Sequence, residues 1–188
     1  MLLERALREL LIAKGVFPAD AVRRQIELTD SRNESRGAQL IARAWVDAGF
    51  KRRLLADAKA AATELGIDVS NTPELIVLEN TPRLHHLVVC TLCSCYPKAI
   101  LGIPPAWYKS REYRARAVKD PRGVLREFGT ALEDDVELRV VDSTADLRYL
   151  VLPMQPARSE GLSESALAQL VTRDSMIGVA LPSEPRVL

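Results

Sequence analysis

Cys90-Thr91-Leu92-Cys93-Ser94-Cys95 holds all three cysteines of this 188-residue chain, and the fold has to be read outward from it. A disulfide framework uses an even number of cysteines spread along a small secreted chain, which this is not. A structural zinc site needs four tetrahedral ligands, and His85 or His86 would complete the set begun by Cys90, Cys93 and Cys95. An iron–sulfur cluster normally takes four thiolates, and there is no fourth cysteine. Three thiols crowded onto one tight loop also argue against a buried, chemically idle role.

The spacing points to a tighter ligation than zinc. With one residue between Cys93 and Cys95, the peptide nitrogens of Ser94 and Cys95 lie between the two sulfurs. Together they would form a planar claw of nitrogens and sulfurs, capped from below by Cys90. Backbone amides ligate only when deprotonated, which demands a strongly Lewis-acidic, trivalent ion, and thiolates select a transition metal over magnesium or calcium. One octahedral position would stay free, the mark of a catalytic rather than a closed structural site.

The run Val88-Val89-Cys90-Thr91-Leu92-Cys93-Ser94-Cys95-Tyr96-Pro97, followed by Leu101-Gly102-Ile103-Pro104-Pro105 and Trp107-Tyr108-Lys109, closely resembles the alpha subunit of nitrile hydratase. So do Ala38-Gln39 with Ala42-Arg43-Ala44-Trp45-Val46, Glu79-Asn80-Thr81-Pro82, Asp120-Pro121-Arg122-Gly123 and Thr172-Arg173-Asp174-Ser175-Met176, in the family's order. The resemblance implies hydration of a small-molecule nitrile to its amide by Cys93 and Cys95 at a metal held by Cys90, Cys93, Ser94 and Cys95. Cys90 would remain a thiolate, Cys93 become a sulfinic acid and Cys95 a sulfenic acid, a reactive rung of cysteine oxidation. Thr91 is the residue type of cobalt members, which implies Co(III), with Fe(III) or Zn(II) as the alternatives. It further implies a beta-type partner subunit whose arginines hold the oxidised sulfurs, and a cobalt-delivery activator protein. The gamma subunit of thiocyanate hydrolase, a cobalt relative with the same loop, is the alternative within the resemblance; a noncatalytic zinc-binding interaction module is the alternative outside it.

Lys98-Ala99 departs from the family, which commonly reads Trp-Pro there with the tryptophan lining the substrate pocket. An ammonium in place of a flat apolar wall changes what the pocket favours. Lys98 is therefore a substrate-pocket candidate, favouring polar or anionic substrates, unless it points into solvent or to a partner carboxylate.

Composition and pattern fill in the surroundings. A 47% hydrophobic chain of this length can bury a real core. A net charge of +1 gives no electrostatic case for nucleic acid or an anionic membrane. No apolar run reaches the roughly 20 residues of a membrane helix, and Met1 leads into Glu4 and Arg5, so a cytoplasmic location is expected.

The expected fold is α+β: an N-terminal helical arm over residues 1–30, then a compact layered α/β domain over 31–188 carrying the cysteine-loop metal site. Apolar spacing predicts arm helices over 1–14 and 18–28, the latter followed by a polar break at Asp30-Ser31-Arg32-Asn33. In this family such an arm wraps the partner subunit. Helices are further expected over 37–47, 51–65 and 120–128, short ones after Pro97 and Pro105, and one from the N-cap Ser163 to about Val171. Strands are expected over 75–78 and 84–89, the second delivering Cys90 at its end. Val136–Val141 and Leu147–Leu152 read as strands paired with each other across Asp142-Ser143-Thr144, and Arg114 and Arg116 have strand-like spacing.

Overall fold

The computed structural model describes residues 2–185, in two units, Met1–Ser31 and Arg32–Leu188. The first contains helices α1 (Leu2–Ala13) and α2 (Ala21–Asp30), neither of which buries a residue. Leu2, Leu3, Leu7 and Leu10 form a leucine stripe that is 51–88% exposed. The opposite face carries Arg5–Glu9 and Arg8–Glu4 pairs at i,i+4 spacing, each worth a few tenths of a kcal/mol.

The second unit opens with α3 (Ser35–Val46), which buries Leu40, Ile41, Ala42 and Ala44 at helical spacing. The single helix expected over 51–65 is instead two, α4 (Ala48–Ala56) and α5 (Ala58–Glu64). Asp57 between them is extended (φ −147°, ψ 92°), and its carboxylate accepts from Ala60 N at 2.9 Å. Asp47 caps α4 in the same way through Phe50 N. An aspartate offering its side chain to a backbone N–H three residues on starts a new helix rather than continuing the old one.

The strands β1 (Glu74–Glu79), β2 (Leu84–Val89), β3 (Glu137–Asp142) and β4 (Leu147–Leu152) follow the expected runs, but the pairing corrects the expectation. β3 and β4 do not form a hairpin: β4 lies parallel to β1 and β3 parallel to β2, in separate two-stranded sheets. The segment after Asp142 crosses from one sheet to the other, with Ser143 N bonded to Val89 O at 2.7 Å and Thr144 N to Leu147 O at 3.0 Å. Parallel strands are covered on their faces, and β2 shows it, with five consecutive buried residues from His85 to Val89.

Between β2 and β3 come α6 (Lys98–Leu101), α7 (Ala106–Lys109), α8 (Arg111–Lys119) and α9 (Pro121–Glu127). Arg114 and Arg116 are therefore helical, not in a strand. Ser110 caps α8 through Tyr113 N at 3.0 Å, and Tyr113 and Ala117, four residues apart, are its buried face. After β4, α10 (Glu164–Ala168) is shorter than expected. A further helix, α11 (Arg173–Ile177), follows it, opened by a capping box between Thr172 and Ser175. It ends on Gly178 at φ +85°, where a Cβ would stand 1.9 Å from His86 O, so only glycine fits. The main core joins α3, α4, α8 and α11 to both sheets through residues such as Ile41, Leu54, Leu87, Tyr113, Leu150 and Ile177. Residues 181–185 have no regular structure, and residues 186–188 lie outside the described ones. Among the described residues no helix is long and apolar enough to cross a membrane.

Candidate metal centre

β2 delivers Cys90 at its end, 1% exposed, so the first thiol is fixed by a buried strand. The chain then turns back, leaving Cys93 exposed and Cys95 buried. The sulfurs of Cys90 and Cys93 are 3.5 Å apart and those of Cys93 and Cys95 3.3 Å, and all three lie within 4.8 Å of one another. Cys93 N–H points at Cys90 Sγ, 3.3 Å away. Ser94 is half-buried between the second and third thiols.

Groups distant in sequence hold this loop. Thr91 donates from its N–H to Asp142 Oδ1 at 3.0 Å and from its hydroxyl to Asp142 Oδ2, and its carbonyl accepts from Arg114 at 3.3 Å. The Tyr108 hydroxyl donates to Cys95 O at 2.8 Å and that of Tyr113 to Val88 O at 2.6 Å. Both rings belong to an edge-to-face aromatic cluster with Tyr96, Trp107 and Phe128, so their hydroxyls are fixed by packing. Asp142 lies 51 residues from Thr91, and no local pattern announces such a partner.

The thiols differ in acidity. Hydrogen bonds from Cys95, from Cys90 and from the Ser94 backbone lower the Cys93 pKa to about 7. Burial, and then the neighbouring thiols, push Cys95 up to about 12. Cys93 is thus the first thiolate available, exposed and nucleophilic. Three convergent sulfurs, one of them readily ionised, suit a transition metal, and no carboxylate or imidazole belongs to the cluster among the described residues.

His85 and His86 do not complete the set. His85 Nε2 donates to Gly178 O at 2.8 Å, so its Nδ1 accepts from the Asn80 amide at 3.1 Å. Asn80 Oδ1 in turn accepts from His86 N at 2.9 Å and His86 Nδ1 at 3.1 Å. Burial lowers the pKa of both rings, with Arg139 adding to the effect at His86. They are neutral, structural histidines, and the zinc reading loses its fourth ligand.

Beside the thiols lies a cavity of about 410 Å³, walled by Cys93, Ser94 and Cys95 on one side and by Val69, Leu75 and Ile100 among its apolar residues. Lys98, exposed at the start of α6, is one of its lining residues, as are Arg32 and Arg148, which sequence reading did not single out. The arrangement is a small pocket with apolar walls, a soft metal-binding corner and cationic groups.

The family model described as nitrile hydratase, alpha chain, matches residues 1–180. The low-molecular weight cobalt-containing nitrile hydratase subunit alpha of Rhodococcus rhodochrous is 51% identical over 182 residues, covering 96% of this chain and 88% of that protein. Thiocyanate hydrolase subunit gamma of Thiobacillus thioparus is 42% identical over 192 residues, covering 96% and 79%. Among solved structures, a double mutant of the Fe-type nitrile hydratase from Comamonas testosteroni Ni1 superposes with a TM-score of 0.88 at 41% identity, covering 96% of this chain and 89% of that one.

Proposed function

The chain belongs to the nitrile hydratase alpha-chain family, and on that premise we propose that it is the metal-carrying subunit of a cobalt-type nitrile hydratase, converting a nitrile and water to the amide with a beta-type partner. The observation that carries this reading is the convergence of three thiols within 4.8 Å on the wall of a ligand-sized cavity. Cys90 anchors the site from the buried strand, Cys93 and Cys95 present sulfur towards the cavity, and Ser94 and Cys95 supply the intervening amides. A trivalent cobalt bound there supplies Lewis-acid polarisation. The acidity and exposure of Cys93 suit oxidation to the sulfinic acid, and Cys95, on the cavity wall, is placed to act as the sulfenic acid on the substrate. The Tyr108 hydroxyl holds the Cys95 peptide in place throughout.

The exposed leucine stripe of α1 supports the arm, residues 1–30, as the segment that wraps the beta-type subunit, since an apolar face left open on a soluble helix calls for a partner. Cobalt delivery by an activator protein and a cytoplasmic location complete the proposal. The thiocyanate hydrolase reading is favoured by one observation, Lys98 on the cavity wall.

Coexpression with the beta-type subunit and activator in cobalt medium tests the set. Stoichiometric cobalt, added oxygen mass on Cys93 and Cys95, and amide formation are expected. Zinc with three unmodified thiols and no turnover would remove the enzyme reading, iron in place of cobalt would correct the metal, and thiocyanate turnover above nitrile hydration would promote the alternative. With Lys98→Trp, preference among nitriles should move towards apolar ones by about tenfold, the scale of one polar contact in a desolvated site. Unchanged ratios would mean that Lys98 does not face the substrate.

A further inference from the structure

The cavity carries more positive charge than nitrile hydration requires. Arg32, Lys98 and Arg148 all line it, and no aspartate or glutamate is among its lining residues. Arg148 is half-buried, and its Nη1 is anchored on the carbonyls of Thr144 and Leu147, which fixes the base of the guanidinium at the wall. Arg32, also half-buried, has a buried Nε with no hydrogen-bond partner. A nitrile is neutral and offers these cations no countercharge, although Arg148 already acts on the Cys95 thiol and Arg32 on the Asp68 carboxylate. Partly desolvated guanidiniums with open donors are costly unless an anion meets them, and their planar forks match an oxyanion in two-pronged fashion. At about 410 Å³ the space suits a multi-carbon ligand rather than a triatomic ion.

Building on the proposed nitrile hydration, we propose that the substrate is a nitrile carrying a carboxylate or similar oxyanion at its far end. The nitrile faces Cys93 and Cys95, and the anion is held by Arg32 and Arg148 with Lys98 adding attraction. The apolar residues between them, Val69, Leu75 and Ile100, suit a short carbon spacer.

The test uses the cobalt-loaded complex with the beta-type subunit and compares the mononitrile of glutaric acid with its neutral amide. The acid should be favoured in kcat/KM by about tenfold or more, carried by KM, and the preference should shrink as salt is raised. Arg32→Gln and Arg148→Gln should each cut the preference several-fold, thermal melts confirming that both variants fold. Calorimetry with butanoate against butanamide, neither of which can be hydrated, reads the anion site without turnover. Butanoate should bind better than the amide, and less well to either variant. Equal use of both nitriles with equal binding of both probes overturns the inference and leaves nitrile hydration standing. Arginine-dependent butanoate binding with no nitrile hydration supports the anion site while the hydratase reading falls. Thiocyanate binding tighter than the glutaric mononitrile would also overturn it.

Discussion

Strand β2 and its end carry two clusters of chemically able side chains, His85 with His86 and Cys90 with Cys93 and Cys95, and they have opposite fates. Both ring nitrogens of His85 have protein partners, and Asn80 ties that ring to its neighbour. The sulfurs point mainly at one another. A polar group whose valences are filled by the fold stabilises it, whereas groups that converge without a filled partner set are available to a ligand. Sequence proximity alone does not separate these cases, since histidine and cysteine both bind metals.

Breaking the open cluster should have the largest effect on function and a small one on the fold. Cys95→Ser removes the proposed metal ligand and reactive sulfur, and turnover in the complex should fall about a thousandfold or more, the scale of losing one member of a catalytic unit. Cys90→Ser should chiefly empty the site of metal. Because the Cys95 carbonyl is held by Tyr108 whatever the side chain, thermal stability of the metal-free chain should change little. Near-normal turnover in either variant would show the assigned roles to be wrong.

Breaking the closed cluster should do the reverse. Asn80→Ala leaves His85 Nδ1, His86 N and His86 Nδ1 without partners in a buried setting, at a cost on the order of 3 kcal/mol by chemical denaturation. Cobalt content per folded molecule should be unaffected. A smaller effect of the same origin appears with pH. Both histidines have a folded pKa below the usual 6.5, so below that pH the unfolded chain takes up protons that the folded one refuses. Stability should therefore be flat above about pH 7 as far as these groups contribute, and fall below 6.5 by at most about 1.4 kcal/mol per pH unit for each ring. Denaturation between pH 7.5 and 5.5 measures it; a slope that survives replacement of both histidines by glutamine would assign it elsewhere.

The convergence of the three thiols was legible because they are local: all stand within six consecutive residues, at the end of a buried strand. Most helices and all four strands were equally local. What sequence reading missed was non-local. β3 and β4 looked like a hairpin because they are separated by a short polar segment, yet each is committed to a strand far back in the chain. Arg114 and Arg116 looked alternate because periodicity in charge said nothing of the buried Tyr113 and Ala117. Arg32 and Arg148 come to one cavity from positions far apart in the sequence, and neither has a neighbour in sequence that marks it.

Asp142 makes the sharpest small test of how far the open cluster depends on the fold around it. It sits where β3 ends, and its carboxylate accepts both the N–H and the hydroxyl of Thr91, the residue following the first thiol. Asp142→Asn preserves shape and one carbonyl oxygen for the Thr91 N–H, and the hydroxyl can rotate to accept from the new amide. What disappears is the charge assistance, and for an exposed group that should amount to about 0.5–1 kcal/mol. If the loop is set chiefly by β2 and the two tyrosines, cobalt retention against a chelator should weaken only a few-fold. Asp142→Ala removes both acceptors and should weaken it further while Cys90 stays buried in the strand. Should Asp142→Asn release metal as completely as Cys90→Ser, the thiol corner would depend on a single contact from a strand about 50 residues away, and the division between an open cluster and the closed frame that carries it would have to be redrawn at Thr91.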